Sequence, residues 1–250
     1  MDRMAALPDS TAGGGMKIAL LGATGFVGAR ILAEALDRGH EVTAVVRDPS
    51  RVPVHPRLRA AACDIMRRGA LADVIEGHDA LISAYNPGHD IDANPHLYRD
   101  IVEGAVAIMH AMRDAGVPHL TYIGGAGSLL RRPGLFVADD PEFPDSYSVS
   151  VPRALEHFAE HKRRSTDVPL GGRATYLLFE HVRDFAWSYV SPPLFLQPGV
   201  RTGRYVEHGD TFPWNGSVPA GISLEDFAVA VLDEAERRSH VHRHFTVTAV

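Results

Sequence analysis

Ile18-Ala19-Leu20-Leu21 runs directly into Gly22-Ala23-Thr24-Gly25-Phe26-Val27-Gly28, and a helical pattern opens at Ala29 and continues to Leu36. An apolar strand, a glycine turn and a helix in that order are the context of a dinucleotide-phosphate site. Gly22 lets the chain turn sharply off the strand. Gly25 removes the β-carbon that would keep backbone away from a pyrophosphate. Gly28 lets the helix pack tightly on the sheet. The start of the helix then offers free N–H groups and a partial positive charge to phosphates.

Working outward, strand and helix alternate. Lys17 to Leu21 reads as the first strand, with its helix over about Gly25 to Arg38 and Gly39 as a stop. Glu41 to Val46 is rich in β-branched residues and reads as a second strand. A proline-containing loop follows from Pro49 to Pro56. Leu58 to Cys63 reads as the third strand, Gly69 to Glu76 as a short helix and Ala80 to Ala84 as a buried fourth strand. Leu97 to Ala115 is a long helix, whose stripe of Ile101, Ala105, Ile108, Met109 and Met112 is core. Leu120 to Ile123 is the fifth strand.

Such repeated units predict an α/β fold of Rossmann type: a doubly wound, mostly parallel sheet with helices on both faces. A smaller, irregular C-terminal part would carry the substrate side, mainly over residues 126–222. There, Ala154 to Arg164 reads as a helix, Pro169-Leu170-Gly171-Gly172 as a break and Ala174 to Arg183 as another helix. Phe185 to Val190 reads as a strand and Glu225 to Arg237 as a helix capped by Ser223. His244 to Thr248 is the last strand. Residues 1–15 read as a loose tail, an upstream start or leftover segment, and residues 16–250 as one domain.

The 250 residues are 45% apolar and 22% charged, as in an ordinary soluble globular protein. A net charge of −6 gives no basic footprint for nucleic acid. Cys63 is the only cysteine, so no intrachain disulfide forms, and a reducing, cytoplasmic setting is expected. No apolar run is long enough to span a bilayer.

Ligands on these sheets sit beyond the carboxyl ends of the strands. The second strand ends Val45-Val46-Arg47-Asp48. An acid in this region holds ribose hydroxyls in NAD sites, whereas Arg47 can grip a 2′-phosphate, so NADP(H) is expected over NAD(H). Asp48 argues the other way. Cys63-Asp64-Ile65 ends the third strand; Asp64 either accepts from the adenine amino group or caps a turn. Ser83-Ala84-Tyr85 ends the fourth strand and leaves room for a ribose. Gly124-Gly125-Ala126-Gly127-Ser128 ends the fifth, where a nicotinamide ring would lie.

GATGFVG, VVRDPSR, CDI, ISAYNPG, YIGGAGSL and YVSPPLFLQPGVRTGRY, in this order, resemble the NmrA-like atypical short-chain dehydrogenase/reductases, in the branch of NADH-flavin reductases related to the biliverdin reductase B type. The resemblance covers nearly everything from Met16 to Val250 and implies NAD(P) on a Rossmann-type sheet. It places Thr24, Phe26 and Val27 along the pyrophosphate and Arg47 at the 2′-phosphate. It places Ser83, Ala84 and Tyr85 on the adenosine side, and Gly124, Gly125 and Ala126 beside the nicotinamide. Ser191, Pro192 and Pro193 would close over its carboxamide end.

The chain departs from the wider family in two ways. No tyrosine is followed four residues later by lysine, and the usual catalytic serine after the fifth strand is replaced by Gly124 or Gly125. The phenol that protonates a carbonyl oxygen is therefore missing. Ser128 and Tyr147 remain as candidate hydrogen-bond donors to an acceptor. A stretch near 152–172 also reads as an insertion on the substrate side.

Hydride transfer proceeds without that phenol if the acceptor spreads its charge, as flavins, quinones and conjugated enones do. The expected activity is an NADPH-dependent reductase of a planar small molecule. The alternatives are a non-redox isomerase, cyclase or lyase on the same scaffold, and an NADP-sensing regulatory protein. Oligomeric state is open. His157 and His161 have metal-ligand spacing without a further ligand, so no metal is expected. His240, His242 and His244 read as an edge or solvated strand face. Phe179, Phe185, Trp187 and Phe195 read as core rather than as a substrate cover.

Overall fold

The computed structural model describes residues 15–67, 69–88, 93–141 and 167–250. Its backbone element is an eight-stranded sheet built from β1 (Lys17–Leu21), β2 (Glu41–Val46), β3 (Leu58–Ala62), β4 (Ala80–Ser83), β5 (Leu120–Ile123), β6 (Trp187–Ser191), β7 (Val206–His208) and β8 (Arg243–Thr248). The order across the sheet is β7-β8-β6-β5-β4-β1-β2-β3. All neighbouring pairs are parallel except β7 with β8. The chain therefore switches direction of growth between β1 and β4, and the crevice at that switch is where doubly wound sheets bind ligands.

Helices cover both faces. On one lie α1 (Gly28–Asp37) and α5 (Leu224–Arg237), which pack on each other. On the other lie α2 (Ala70–Ile75), α3 (Leu97–Ala115) and α4 (Asp167–Phe179). The α3 stripe is buried as its spacing predicts: Ala105 and Ile108 are inaccessible, and Ile101, Met109 and Met112 nearly so. Ser223 caps α5 by accepting from the Asp226 amide at 3.0 Å.

Three expectations need correction. The proposed break at Pro169-Leu170-Gly171-Gly172 lies inside a helix, and that helix ends at Phe179 rather than Arg183. Pro169 falls in the first turn of α4, where its missing N–H costs nothing. Gly171 serves close packing instead. A β-carbon on Gly171 would lie 3.0 Å from the Ile101 side chain of α3. The strand placed over Phe185 to Val190 runs Trp187–Ser191, with Phe185 left beneath the Arg113 guanidinium at 5.5 Å.

The histidine reading is also overturned. His240 and His242 lie in the turn before β8, where Glu234 holds His240 Nδ1 at 2.8 Å and the Phe185 carbonyl holds a His242 ring nitrogen at 2.9 Å. His244 is buried inside β8, which has β6 on one side and β7 on the other. A polar residue alternating with apolar ones marks an outer face only where that face meets water. Phe179 and Trp187 are core, as expected. The helix read over Ala154 to Arg164, and His157 and His161 with it, lies outside the described residues.

Candidate functional site

The glycine turn is set by steric exclusion. Gly22 has φ +74°, and a β-carbon there would sit 2.4 Å from the Ala84 carbonyl oxygen at the end of β4. A β-carbon on Gly28 would sit 2.1 Å from the Gly22 carbonyl oxygen. These two residues hold β1, β4 and α1 at contact distance. Gly25 donates its amide to Gly22 at 2.9 Å and meets only that same carbonyl.

The beginning of α1 has no side-chain cap and no acid in its first turn. Among the described residues, the amides of Thr24, Phe26 and Val27 donate to no backbone carbonyl. Unpaired N–H groups at a helix start, without a carboxylate to neutralise the dipole, suit an anion. Phe26 stands over this turn, 56% exposed, with Arg30 stacked on it.

At the end of β2, Arg47 is exposed, and among the described residues no carboxylate pairs with it. Asp48 is occupied: its carboxylate accepts from the Ser50 amide at 3.0 Å and the Ser50 hydroxyl at 2.6 Å, which keeps it below the usual carboxylate range. Asp64 accepts from the Met66 amide at 3.1 Å and so caps its turn, while Ile65 is buried behind it. Ser83 is inaccessible, and Ala84 is partly open at the crevice. The Tyr85 ring turns away onto α3, where a β-carbon on Gly104 would meet it at 2.3 Å. Burial pushes the Tyr85 phenol up to about 12; Asp100 adds to the rise and Arg47 opposes it. Because β3, β2, β1 and β4 lie side by side in parallel, the ends of β2, β3 and β4 share one edge of the sheet.

The glycines after β5 divide by role. A β-carbon on Gly124 would enter the Tyr189 ring at 2.1 Å, and one on Gly127 would meet Pro169 at 2.7 Å. On Gly125 it would meet nothing within 4 Å, so Gly125 presents bare backbone to open space. Ala126 is partly buried and packs against the cluster of Leu129, Val137 and Phe212. Ser128 is inaccessible, and its hydroxyl donates to the Gly125 carbonyl at 2.7 Å. Ser191, also inaccessible, lies 2.8 Å from the Ser128 hydroxyl, and Pro192 and Pro193 follow it. Tyr147 lies outside the described residues.

The strand ends thus combine an anion-ready helix start, an exposed guanidinium and an open glycine edge along the carboxyl edge of one parallel sheet. The model of NAD(P)H-binding proteins matches residues 22–235.

This chain belongs to the NAD(P)H-binding family.

The family resemblance read from the motifs holds at that level. The Bacillus subtilis protein YwnB, itself uncharacterised, is 32% identical over 239 residues, covering 94% of this chain and 99% of that one. A Bacteroides thetaiotaomicron structure described as a "putative epimerase" is 32% identical with a TM-score of 0.78, covering 94% of this chain and 98% of that one. A Streptococcus pneumoniae structure described as a "putative NADH-flavin reductase" is 24% identical with a TM-score of 0.76, covering 94% of this chain and all of that one. At that identity the likeness is one of fold. Among the described residues, no helix is long and apolar enough to cross a membrane.

Two features escaped the reading of the sequence. Tyr176 of α4 lays its ring on His244 at 4.4 Å, and His244 Nε2 lies 2.8 Å from the Ser191 hydroxyl. The nearest sequence signal was the alternation of His240, His242 and His244, which reads as an edge or solvated face and does not single out His244 as buried.

Proposed function

We propose that the protein is an NADPH-dependent reductase that passes a hydride to a planar, conjugated small molecule. The reading rests on one observation above all: the uncapped α1 start, walled by Gly22 and Gly28, and the bare Gly125 backbone follow the carboxyl ends of β1 and β5, parallel strands separated only by β4. The amides of Thr24, Phe26 and Val27 would hold the pyrophosphate, and Arg47 the 2′-phosphate. Asp48 gives one carboxylate oxygen, Oδ1, to both the amide and the hydroxyl of Ser50, which supports NADP(H) over a coenzyme held by its ribose hydroxyls. Ala84 would border the adenosine, with Ser83 and Tyr85 packed behind it and Asp64 and Ile65 closing the end of β3. Gly125 would carry the flat ring, between Gly124 and Ala126 on one side and Ser191, Pro192 and Pro193 on the other.

The bound coenzyme supplies the hydride. The chain supplies alignment and the exclusion of water. No tyrosine is followed four residues later by lysine, the spacing of the usual proton-donating pair, so acceptors that delocalise charge (flavins, quinones, enones) fit best. Ser128 spends its proton on Gly125 and acts from behind the backbone. A non-redox reaction is the second reading, favoured by the missing pair and by the Bacteroides relative described as an epimerase.

The test is NADPH oxidation followed by absorbance against a panel of flavins, quinones and enones. A reductase consumes NADPH only when an acceptor is added. A non-redox enzyme or a sensor binds NADP(H) without net oxidation under any acceptor.

A further inference from the structure

The end of β5, the end of β6 and the first residues of β8 are tied by one buried hydrogen-bond chain. Ser128 Oγ donates to the Gly125 carbonyl at 2.7 Å. Ser191 Oγ lies 2.8 Å from Ser128 Oγ, and His244 Nε2 lies 2.8 Å from Ser191 Oγ. Both serines are inaccessible and His244 is nearly so.

Proton counting sets the direction. A hydroxyl has one hydrogen to give. Ser128 gives its hydrogen to Gly125, so Ser191 must donate to Ser128, and His244 must donate to Ser191 from Nε2. That leaves Nδ1 as the bare nitrogen, and it has no partner. The chain therefore reads one way, from imidazole to peptide carbonyl.

We propose that His244 is a positioning residue, which through Ser191 and Ser128 holds Gly125 and the start of the Pro192-Pro193 segment at a fixed separation for the nicotinamide half of the dinucleotide. This rests on the reading of the site given above. The Ser128–Ser191 bond bridges the two segments that would flank the ring. The adenosine half would lie along β1, β2 and β3, and β6, β5 and β4 separate these from β8. Loosening the chain therefore acts on one half of the ligand. A defect of the fold as a whole acts on both.

The experiment compares two ligands by calorimetry: NADPH, and adenosine 2′,5′-bisphosphate, which carries the adenosine half alone. The proteins are wild type, His244→Leu, His244→Gln and Ser191→Ala, each checked for cooperative melting. Ser191→Ala should weaken NADPH by about tenfold, one buried hydrogen bond's worth, and leave the bisphosphate unchanged. His244→Leu should shift binding in the same direction. His244→Gln, whose amide N–H replaces Nε2–H, should restore NADPH affinity. Equal weakening of both ligands, or of neither, overturns the positioning role. A wild type that binds neither ligand overturns the reading of the site and this inference with it. Should His244→Leu fail to fold, His244→Asn, whose shorter amide does not reach the place of Nε2, takes its place: it should weaken NADPH alone, and affinity equal to that of His244→Gln overturns the role of His244.

Discussion

Acid should unfold this protein sooner than its carboxylates alone require. Burial holds the His244 imidazole down at about 3 and that of His119 at about 4, against an ordinary 6.5. Arg238 and His242 reinforce the depression at His119, and Glu234 opposes it. Each ring has a buried Nδ1 with no partner, so a proton there would be unsolvated. Both rings stay neutral in the fold but take protons once unfolded. Their contribution is therefore complete above pH 6.5 and is lost as pH falls toward 4 for His119 and 3 for His244. Linkage over these shifts gives a loss of about 2 kcal/mol per ring, or roughly 4 kcal/mol together, between about pH 7.5 and pH 5. That is a large share of a typical net stability of about 5–15 kcal/mol. The carboxylates held low in the fold, Glu34, Glu234 and Glu236, lose their contribution mainly below their ordinary 4.5. The window near pH 5 thus isolates the histidines. Urea unfolding followed by circular dichroism should show the wild-type loss. His119→Gln and His244→Gln should each remove about half of it, whatever they cost at neutral pH. If either variant loses as much stability as wild type over that window, its ring is not neutral and buried as argued.

Arg47→Ala should weaken NADPH by tenfold or more while moving NADH little, since only one carries the 2′-phosphate; equal losses in titration calorimetry would remove Arg47 from the site. Gly125→Ala and Gly124→Ala should behave oppositely. The first meets open space and should leave the melting temperature unchanged while weakening NADPH, and the second enters the Tyr189 ring and should cost about 1–3 kcal/mol in denaturant unfolding. Gly22→Ala should cost at least about 1–2 kcal/mol from its positive φ alone, before its contact with Ala84 is counted. Glu34 is buried between Arg38 at 2.8 Å and Arg201 at 2.7 Å. Glu34→Ala should destabilise by about 2–3 kcal/mol, because Arg38 is left half-buried beside one fewer acid; a neutral result in urea unfolding would show that Asp233 and Glu236 suffice.

The strand–turn–helix opening, the long α3 and the capped α5 were legible because their determinants are local. Apolar spacing, a glycine at a turn and a serine at a helix start act within a few residues of themselves. That Arg47 and the glycine run after β5 lie at one edge of the sheet was legible for a related reason: parallel strands bring their carboxyl ends to one side. Legibility failed in the second half. The glycines at 171 and 172 carry a poor helix propensity, yet α4 runs through them, and at Gly171 a β-carbon would crowd Ile101 of α3 at 3.0 Å. The alternation His240, His242, His244 resembles a solvated face, but the first two sit in a turn, and His244 lies in β8 between β6 and β7 with the Tyr176 ring of α4 against it.

By itself the chain's order of residues determined the sheet's class and the glycine-walled turn between its first strand and first helix. Only the folded molecule decided which of those glycines face open space and which face Tyr189 or Pro169, that Asp48 belongs to Ser50, and that His244 meets Ser191. The physical reason is distance along the chain. Ser128 and Ser191 are separated by 63 residues, and Ser191 and His244 by 53. No local pattern encodes a hydrogen bond between groups that meet only when the strands carrying them come together in the sheet.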